Sequence, residues 1–431
     1  MPSSNFGTDS SDPNNCTAIT KTEPSFNPNI LSAGSKDVVR TLQSAGHQAF
    51  LVGGCIRDAL LGLHPKDFDV ATSAPPDSVK PLFRKCRIIG RRFRLAHVFS
   101  RGELVEVATF RKDASNDDSN NVSDQQVAKS GILTADNAFG SLDEDIIRRD
   151  FTINALYYDP QANEILDGVN GLADIEAKKI RLIGDPDVRF VEDPVRILRA
   201  LRFAAKLDFD IEEATEAAIP KYAHLLKEIP PARLFEELQK LFICSYGKKC
   251  LDQLLKYDIF KYILPQTQHF LEYDSARQMI NLALDNTEKR ILQGKTVTPS
   301  FLLAIFLWAP VRAWQAHFMK QDIQPMLALH QAINQVVQTQ ISTTALPKRF
   351  TGPMQDIFEL QERLCRASRK SALKTLAHRR FRAAFDFLVI RELASDIEPG
   401  VAKWWLNLQT ASPESRKKLL QDLRSGNSRR K

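Results

Sequence analysis

The stretch Leu51-Val52-Gly53-Gly54-Cys55-Ile56-Arg57-Asp58, followed by Lys66-Asp67-Phe68-Asp69-Val70, decides how the rest of the chain is read. Ala49-Phe50-Leu51-Val52 is an apolar run of strand length, and the two glycines after it end the strand. Glycine has no Cβ, so backbone N–H groups there can approach a phosphate, and a helix starting at the turn aims its positive end at the same place. That helix is expected over residues 56–61, stopped at Gly62. In an extended strand residues two apart share a face, so Asp67 and Asp69 would point together while Phe68 turns to the core. Paired carboxylates are hard oxygen ligands suited to Mg²⁺. Two such ions lower the pKa of an attacking hydroxyl and stabilise a pyrophosphate leaving group, which is the chemistry of nucleotidyl transfer. An isolated Asp-x-Asp in a turn is usually structural; a strand, a Gly-Gly turn and a helix within fifteen residues of it set this one apart.

Working outward, Val38, Val39, Leu42 and Ala45 have helical spacing that Gly46 ends. A strand over 68–71, a helix near 77–83 and strands over 87–89, 95–99 and 104–110 make this part α/β. Glu106 alternates with Val105 and Val107, so a neighbouring strand can deliver it to Asp67 and Asp69 as a third carboxylate. Between them lies Arg84-Lys85-Cys86-Arg87-Ile88-Ile89-Gly90-Arg91-Arg92-Phe93-Arg94, six basic residues in eleven with no acid, a density that suits RNA or triphosphate oxygens. Residues 112–136 are crowded with Asp, Asn, Ser and Gln and read as a long mobile loop. After Tyr158 strand signals nearly vanish, and helical periodicity dominates 193–206, 232–242, 301–309 and most of 373–393. No internal repeat is detectable.

A chain of 431 residues that is 43% hydrophobic can bury a large core and favours several domains. Its six cysteines lie far apart with no C-x-x-C pair, which suggests neither a zinc site nor a disulfide framework and fits a reducing cytoplasm. The longest apolar run, 301–309, lies between Pro299 and Pro310 and falls short of the roughly 20 residues that span a bilayer, so it reads as a buried core helix and no membrane insertion is expected. The N-terminal stretch is polar, lacks an apolar segment, and is expected to be disordered to about residue 30. The formal charge of +7 is concentrated at one end, since residues 348–431 hold 19 Lys/Arg against 9 Asp/Glu. Such a bias suits a polyanion better than an ordinary solvated face.

Further motifs follow the first in order. They are Arg148-Arg149-Asp150-Phe151-Thr152-Ile153-Asn154-Ala155-Leu156, then Asp167-Gly168 through Gly171-Leu172-Ala173-Asp174, then Glu192-Asp193-Pro194-Val195-Arg196-Ile197-Leu198-Arg199. With the first, they resemble the class II nucleotidyltransferases of polymerase-β type, which comprise CCA-adding enzymes and bacterial poly(A) polymerases. Residues 90–98, 229–237 and 379–386 look more like the poly(A) polymerase branch, and the resemblance covers about residues 32–420. It implies an α/β nucleotidyltransferase head followed by an all-α neck, body and C-terminal region. The divisions expected are 1–30 disordered, 31–160 head, 161–225 nucleotide-selecting neck, 226–345 body, and 346–431 basic RNA-binding region and tail.

The resemblance also implies roles. Gly53, Gly54, Arg57, Asp58, Arg149, Asn154, Asp193, Arg196 and Arg199 would bind the nucleotide, with Arg149 offering a planar fork to triphosphate or ribose oxygens. On one helix Asp193 and Arg196 would be i, i+3 neighbours presenting an acceptor and a donor to a base edge. Catalysis would fall to Asp67, Asp69, Asp150 and Glu106, with Mg²⁺ or Mn²⁺ on Asp67 and Asp69; the third motif would be flexible. Arg91, Arg92, Arg94, Arg379, Arg380 and Arg382 would contact RNA. Substrates would be ATP and RNA 3′ ends, with RNA-decay or RNA-chaperone proteins as partners. A CCA-adding activity is the alternative within the family. Cys55 stands where many relatives carry Gly or Ala, and no histidine is followed by Asp, so a His-Asp phosphohydrolase module is not indicated. A non-catalytic RNA-binding protein would have no use for Asp67, Asp69, Asp193 and Arg196 together, and a dinucleotide-binding oxidoreductase would need G-x-G-x-x-G after the first strand.

Overall fold

Leu51 and Val70 point to one face of their strands and Phe50, Val52 and Ala71 to the other, and all five leave water, so these strands need a covering layer on both sides while Asp69 stays accessible at the strand end. A computed structural model shows how this is met; it describes residues 18–90, 94–112, 125–127, 133–136 and 139–426. The chain divides into two compact units, Met1–Leu225 and Leu226–Lys431.

In chain order the strands of the first unit are β1 (Thr20–Thr22), β2 (Ala49–Val52), β3 (Asp69–Thr72), β4 (Cys86–Ile89), β5 (Leu95–Ser100), β6 (Glu103–Thr109), β7 (Gln125–Val127), β8 (Leu133–Asp136), β9 (Leu156–Asp159), β10 (Glu164–Asp167), β11 (Lys179–Ile180) and β12 (Asp210–Ile211). Its helices are α1 (Ala33–Ser44), α2 (Gly54–Leu60), α3 (Pro76–Val79), α4 (Leu142–Ile147), α5 (Gly171–Glu176), α6 (Pro186–Glu192), α7 (Val195–Leu207) and α8 (Glu213–Tyr222). Eight strands form one sheet in the order β1-β10-β9-β2-β3-β6-β5-β4. Every neighbouring pair in it is antiparallel except β3 with β6.

On one face Leu51, Val70, Ala96, Val98, Val105 and Val107 pack against Val38, Val39 and Leu42 of α1. Each of the valines and leucines among them contributes about 1.5–3 kcal/mol on burial. Ser32 starts α1 by accepting from the Ser35 N–H, and Gly46 at φ 86° ends it. On the other face Phe50, Val52, Ala71 and Tyr157 are covered by Leu142 and Ile146 of α4.

Several expectations are corrected. Residues 18–30 are ordered: β1 pairs with β10, and Phe26 packs edge-on to Tyr158 at 5.5 Å. A polar strand carries no periodicity of its own and is recruited by an existing sheet edge. β10 contradicts the reading that strands end near Tyr158; the turn that returns it is marked by Asp159, which caps Gln161 and Ala162, and by Asn163 at φ 57°. Within 112–136, β7 and β8 pair antiparallel, so the expected loop contains a hairpin. β3 begins at Asp69, where it pairs with Val52, so Asp67 lies before the strand rather than in it.

The second unit is built from α9 (Pro231–Phe242), α10 (Gly247–Lys256), α11 (Pro265–Gln268), α12 (Asp274–Leu292), α13 (Pro299–Phe306), α14 (Trp308–Met319), α15 (Pro325–Ile341), α16 (Lys348–Cys365), α17 (Arg369–Leu376), α18 (Phe381–Leu393), α19 (Val401–Thr410) and α20 (Pro413–Gly426). The apolar run 301–309 is buried but breaks at Leu307 (φ −92°, ψ 3°) into α13 and α14, with Pro310 tolerated in the first turn of α14. Trp308 sits between Phe358 and Phe387 and donates its indole N–H to Asp396. No helix among the described residues is long and apolar enough to cross a membrane.

Candidate active site

Gly53 closes β2 with φ 80° and ψ −132°, a conformation open to glycine alone. A Cβ there would lie 3.6 Å from the Asn154 carbonyl and 3.8 Å from Arg149 Nη1, so the turn abuts the second motif. Its own N–H is spent on Leu156 O at 3.2 Å, and α2 has only seven residues. Two guanidinium groups lie close to the turn: Arg149 beside Gly53, and Arg57 at 3.5 Å from a Cβ built on Gly54.

The parallel register sets Asp69 directly opposite Glu106, with side chains on one face. Asp67 approaches the same spot from the turn before β3. Asp69 is exposed as a residue, yet it forms the wall of a cavity of about 300 Å³ together with Glu106, Arg111, Arg148 and Arg149. Partial loss of water there, then the charges of Glu106 and Asp67, push its carboxyl up to about 6 against the pull of Arg149. Asp69 and Glu106 on adjacent strands, with the charge of Asp67 felt at Asp69, are hard oxygen donors of the type Mg²⁺ takes, although no three acidic side chains among the described residues are gathered into a ready-made metal cluster. The neighbouring Cys55 thiol, whose Sγ–H points at Val52 O, is pushed up to about 12 by burial and by Asp69.

Asp150 is engaged by its own donors. Its Oδ1 accepts from the Phe151 N–H at 2.8 Å and Asn154 Nδ2 at 3.2 Å, and its Oδ2 from Arg199 Nε at 2.6 Å. Burial opposes its ionisation, but the Arg199 charge and these donors outweigh it and hold the carboxyl at about 2. Arg57 is buried, doubly bonded to Asp58 Oδ1 and to Asn154 Oδ1; Asp58 also takes Lys206 at 2.9 Å. Arg57, Asp58, Asn154 and Arg199 thus form one internal brace under the Gly-Gly turn, with Arg57 and Arg199 both over the Phe203 ring.

Arg149 is held by two groups the sequence reading missed. Its Nε donates to Tyr157 Oη at 2.6 Å and its Nη2 to Asp145 at 3.1 Å. Asp145 is fully buried and also takes the Tyr157 hydroxyl at 2.5 Å and Arg148, which together hold it well below the usual carboxylate range despite burial. The available signal was its spacing, i−4 from Arg149 and i−3 from Arg148.

Asp193 and Arg196 do not share a helix. α6 ends at Glu192 and α7 begins at Val195; Asp193 is extended (φ −146°) and accepts from the Val195 N–H at 3.2 Å. Pro194 forces this break, since the residue before proline avoids the α region. Arg196 bonds to Glu192 at 3.0 Å and to Arg189 O at 2.8 Å. Arg189 in turn donates to the Arg148 and Arg149 carbonyls at 2.7 and 2.9 Å, tying the fourth motif to the second. The third motif is likewise held: Asp167 accepts from the N–H groups of Val169, Gly171 and Leu172, and Asp174 from Thr152 Oγ1.

Of the expected RNA contacts, Arg91 and Arg92 lie outside the described residues. Arg94 pairs with Asp77 at 2.9 Å. In the second unit Arg379 pairs with Asp356 at 3.2 Å and Arg382 with Asp386 at 3.1 Å, both on exposed surface, while Arg380 is half-buried.

Residues 49–181 match the profile described as "Poly A polymerase head domain". The poly(A) polymerase I of Haemophilus influenzae is 41% identical over 92% of this chain and 89% of its own length. The chain belongs to the poly(A) polymerase family. It is therefore a nucleotidyltransferase. The Salmonella typhimurium poly(A) polymerase I is 42% identical over 94% of the chain, whereas the CCA-adding enzyme of Streptococcus thermophilus, 38% identical, matches over only 54% of it. Further profiles of the family match residues 208–271, "Probable RNA and SrmB- binding site of polymerase A", and 321–431, "Polymerase A arginine-rich C-terminus". Among solved structures, the Bacillus stearothermophilus CCA-adding enzyme in complex with CTP aligns with TM-score 0.50 and 25% identity, covering 94% of this chain and 100% of that one. An apo CCA-adding enzyme of 20% identity aligns at 0.63 over 91% of the chain and shares its fold.

Proposed function

We propose that the chain transfers AMP from ATP to the 3′-hydroxyl of RNA without a template, releasing pyrophosphate, in the cytoplasm. The observation that carries this reading is the cross-strand pair Asp69 and Glu106 facing the braced Arg149 across one cavity, in a chain whose full-length relatives are poly(A) polymerases. Asp67, Asp69 and Glu106 would hold Mg²⁺, or Mn²⁺ in its place. When bound, the ions neutralise the attacking 3′-oxygen and the departing pyrophosphate. Arg149, fixed by Asp145 and Tyr157, meets triphosphate oxygens beside the Gly53 turn. Asp193 and Arg196 read the base edge, each fixed by backbone contacts at the junction of α6 and α7. Glu106 would serve as the third carboxylate, a reading its register opposite Asp69 supports, and Asp150 would act through Arg199 and Asn154. RNA phosphates meet Arg91, Arg92 and Arg94 on the head and Arg379, Arg380 and Arg382 on the second unit. RNA-chaperone or RNA-decay proteins would be the chain's protein partners, and the profile over residues 208–271, described as a probable RNA and SrmB binding site, marks where binding would fall.

Purified protein with an unstructured labelled RNA should build long tails from ATP alone and use CTP poorly. Asp67→Asn and Asp69→Asn should each lower the rate at least about a thousandfold, the several kcal/mol that metal-ion charge stabilisation supplies, with thermal stability and RNA binding retained. Substantial activity in either variant sinks the metal assignment. Addition of two cytidines and one adenosine to a trimmed tRNA, with no tail on unstructured RNA, overturns the choice of reaction.

A further inference from the structure

One half of the large sheet, β4 to β6, buries Ala96, Val98, Val105 and Val107 against α1 and turns its other face outward. Register decides what that face carries. Asp69 stands opposite Glu106, Glu106 opposite His97, and His97 opposite Arg87, so four adjacent strands set these side chains in one row. His97 Nε2 lies 3.3 Å from Glu106 Oε1. Two positions along, on the same face, Phe99 is opposite Leu104, and on the other side of the row Ile89 is opposite Leu95. Phe99 is 51% exposed, Leu104 45% and Ile89 38%. Lys85, whose carbonyl accepts from the Phe99 N–H, and Arg87 are exposed at the sheet edge. An apolar pair left in water beside the reacting carboxylates, flanked by cations, is a surface that awaits a partner.

We propose that this open face of β4, β5 and β6 seats the last nucleotides of the RNA, with bases stacked on Phe99 and Leu104 and phosphates on Arg87 and Lys85. The proposal rests on the function proposed above, because it takes the 3′-hydroxyl to lie at Asp69 and Glu106. From Glu106 to Arg87 is two strand spacings, about 10 Å, close to three stacked nucleotides at about 3.4 Å each. The charge order agrees: the hydroxyl end meets the acids, and the phosphates behind it meet the basic edge. A sheet carrying apolar and aromatic side chains stacks any base, since every base has a π-face, which suits addition without a template.

The test uses the full chain and an RNA ending in a 3′-deoxynucleotide, with 4-thiouridine second or third from the end. Photocrosslinks should map to β4, β5 or β6. In steady-state assays Phe99→Ala should raise the KM for RNA about tenfold. The KM for ATP should not change, and Phe99→Tyr should behave as wild type, which a merely structural role would not produce. Arg87→Ala should flatten the logarithmic salt dependence of RNA affinity by about 0.7. Crosslinks confined to other segments, or an unchanged KM for RNA in Phe99→Ala, overturn the platform. If the wild type extends RNA while Phe99→Ala matches it, only this inference fails; if the wild type adds AMP to no RNA, the proposed function fails and the platform with it.

Discussion

Asp69 and Asp150 are carboxylates of one unit driven in opposite directions, the first up to about 6 by burial and acidic neighbours, the second down to about 2 because Arg199 outweighs burial. A depressed carboxyl stabilises the fold above its unfolded pKa, and that stabilisation is lost as pH falls through the folded value. Asp150→Asn should therefore cost roughly 2–3 kcal/mol at pH 7, through the lost shift and the stranded Arg199 charge. The deficit should shrink between about pH 4 and 2 in urea titrations. A deficit independent of pH would mean that Asp150 titrates normally. The residue types at this site were visible in the chain: Asp67, Asp69, Arg149, Asp150 and Glu106 could all be named from spacing or resemblance. Asp145 and Tyr157 could not, because a buried acid and a buried phenol acquire meaning only from the guanidinium they share.

At the scale of elements, short local signals placed β2 to β6 and α9 within about two residues, but carried α3 past Val79, merged α13 with α14, and missed β1 and β10, while strand pairing was set elsewhere. Gly46 and Gly62 end helices as their positions suggest, with φ of 86° and 69°. The third motif shows what the chain alone does not: α5 lies so close to the turn Thr152–Asn154 that a Cβ on Gly171 would fall 2.3 Å from the Thr152 carbonyl. Gly171→Ala should lower stability by about 1–3 kcal/mol, read as a fall in Tm, since backbone must move to admit the methyl. An unchanged Tm would show that α5 shifts freely. The fourth motif likewise required the structure, because Pro194 splits Asp193 from the helix that holds Arg196.

At the scale of the whole molecule the basic C-terminal region, as far as the described residues run, is a folded part of its unit. Trp405, Leu408 and Leu420 join Phe381, Phe385 and Leu388 in one core, and Trp405 donates to Leu364 O at 2.9 Å. Cutting after Asn407 would strip that core and confound any measurement of RNA affinity. Reversing the exposed pair, Lys417→Glu with Lys418→Glu, should instead leave Tm within a degree or so and flatten the salt slope of RNA binding by about 0.7 for each phosphate no longer neutralised. An unchanged slope would return these lysines to a solvated surface. By itself the amino-acid sequence determined the α/β head, the helical remainder, the order of the motifs and the sign of the charge at each end, because strand and helix periods, glycine turns and charge counts are properties of neighbours along the chain. Only the tertiary structure decided that β1 and β10 complete the sheet, that Glu106 rather than Asp150 faces Asp69, and that Phe99 and Leu104 lie open beside them. Those outcomes depend on strand order and register, which are fixed by contacts between residues distant in the chain and shift a side chain to the opposite face with a slip of one.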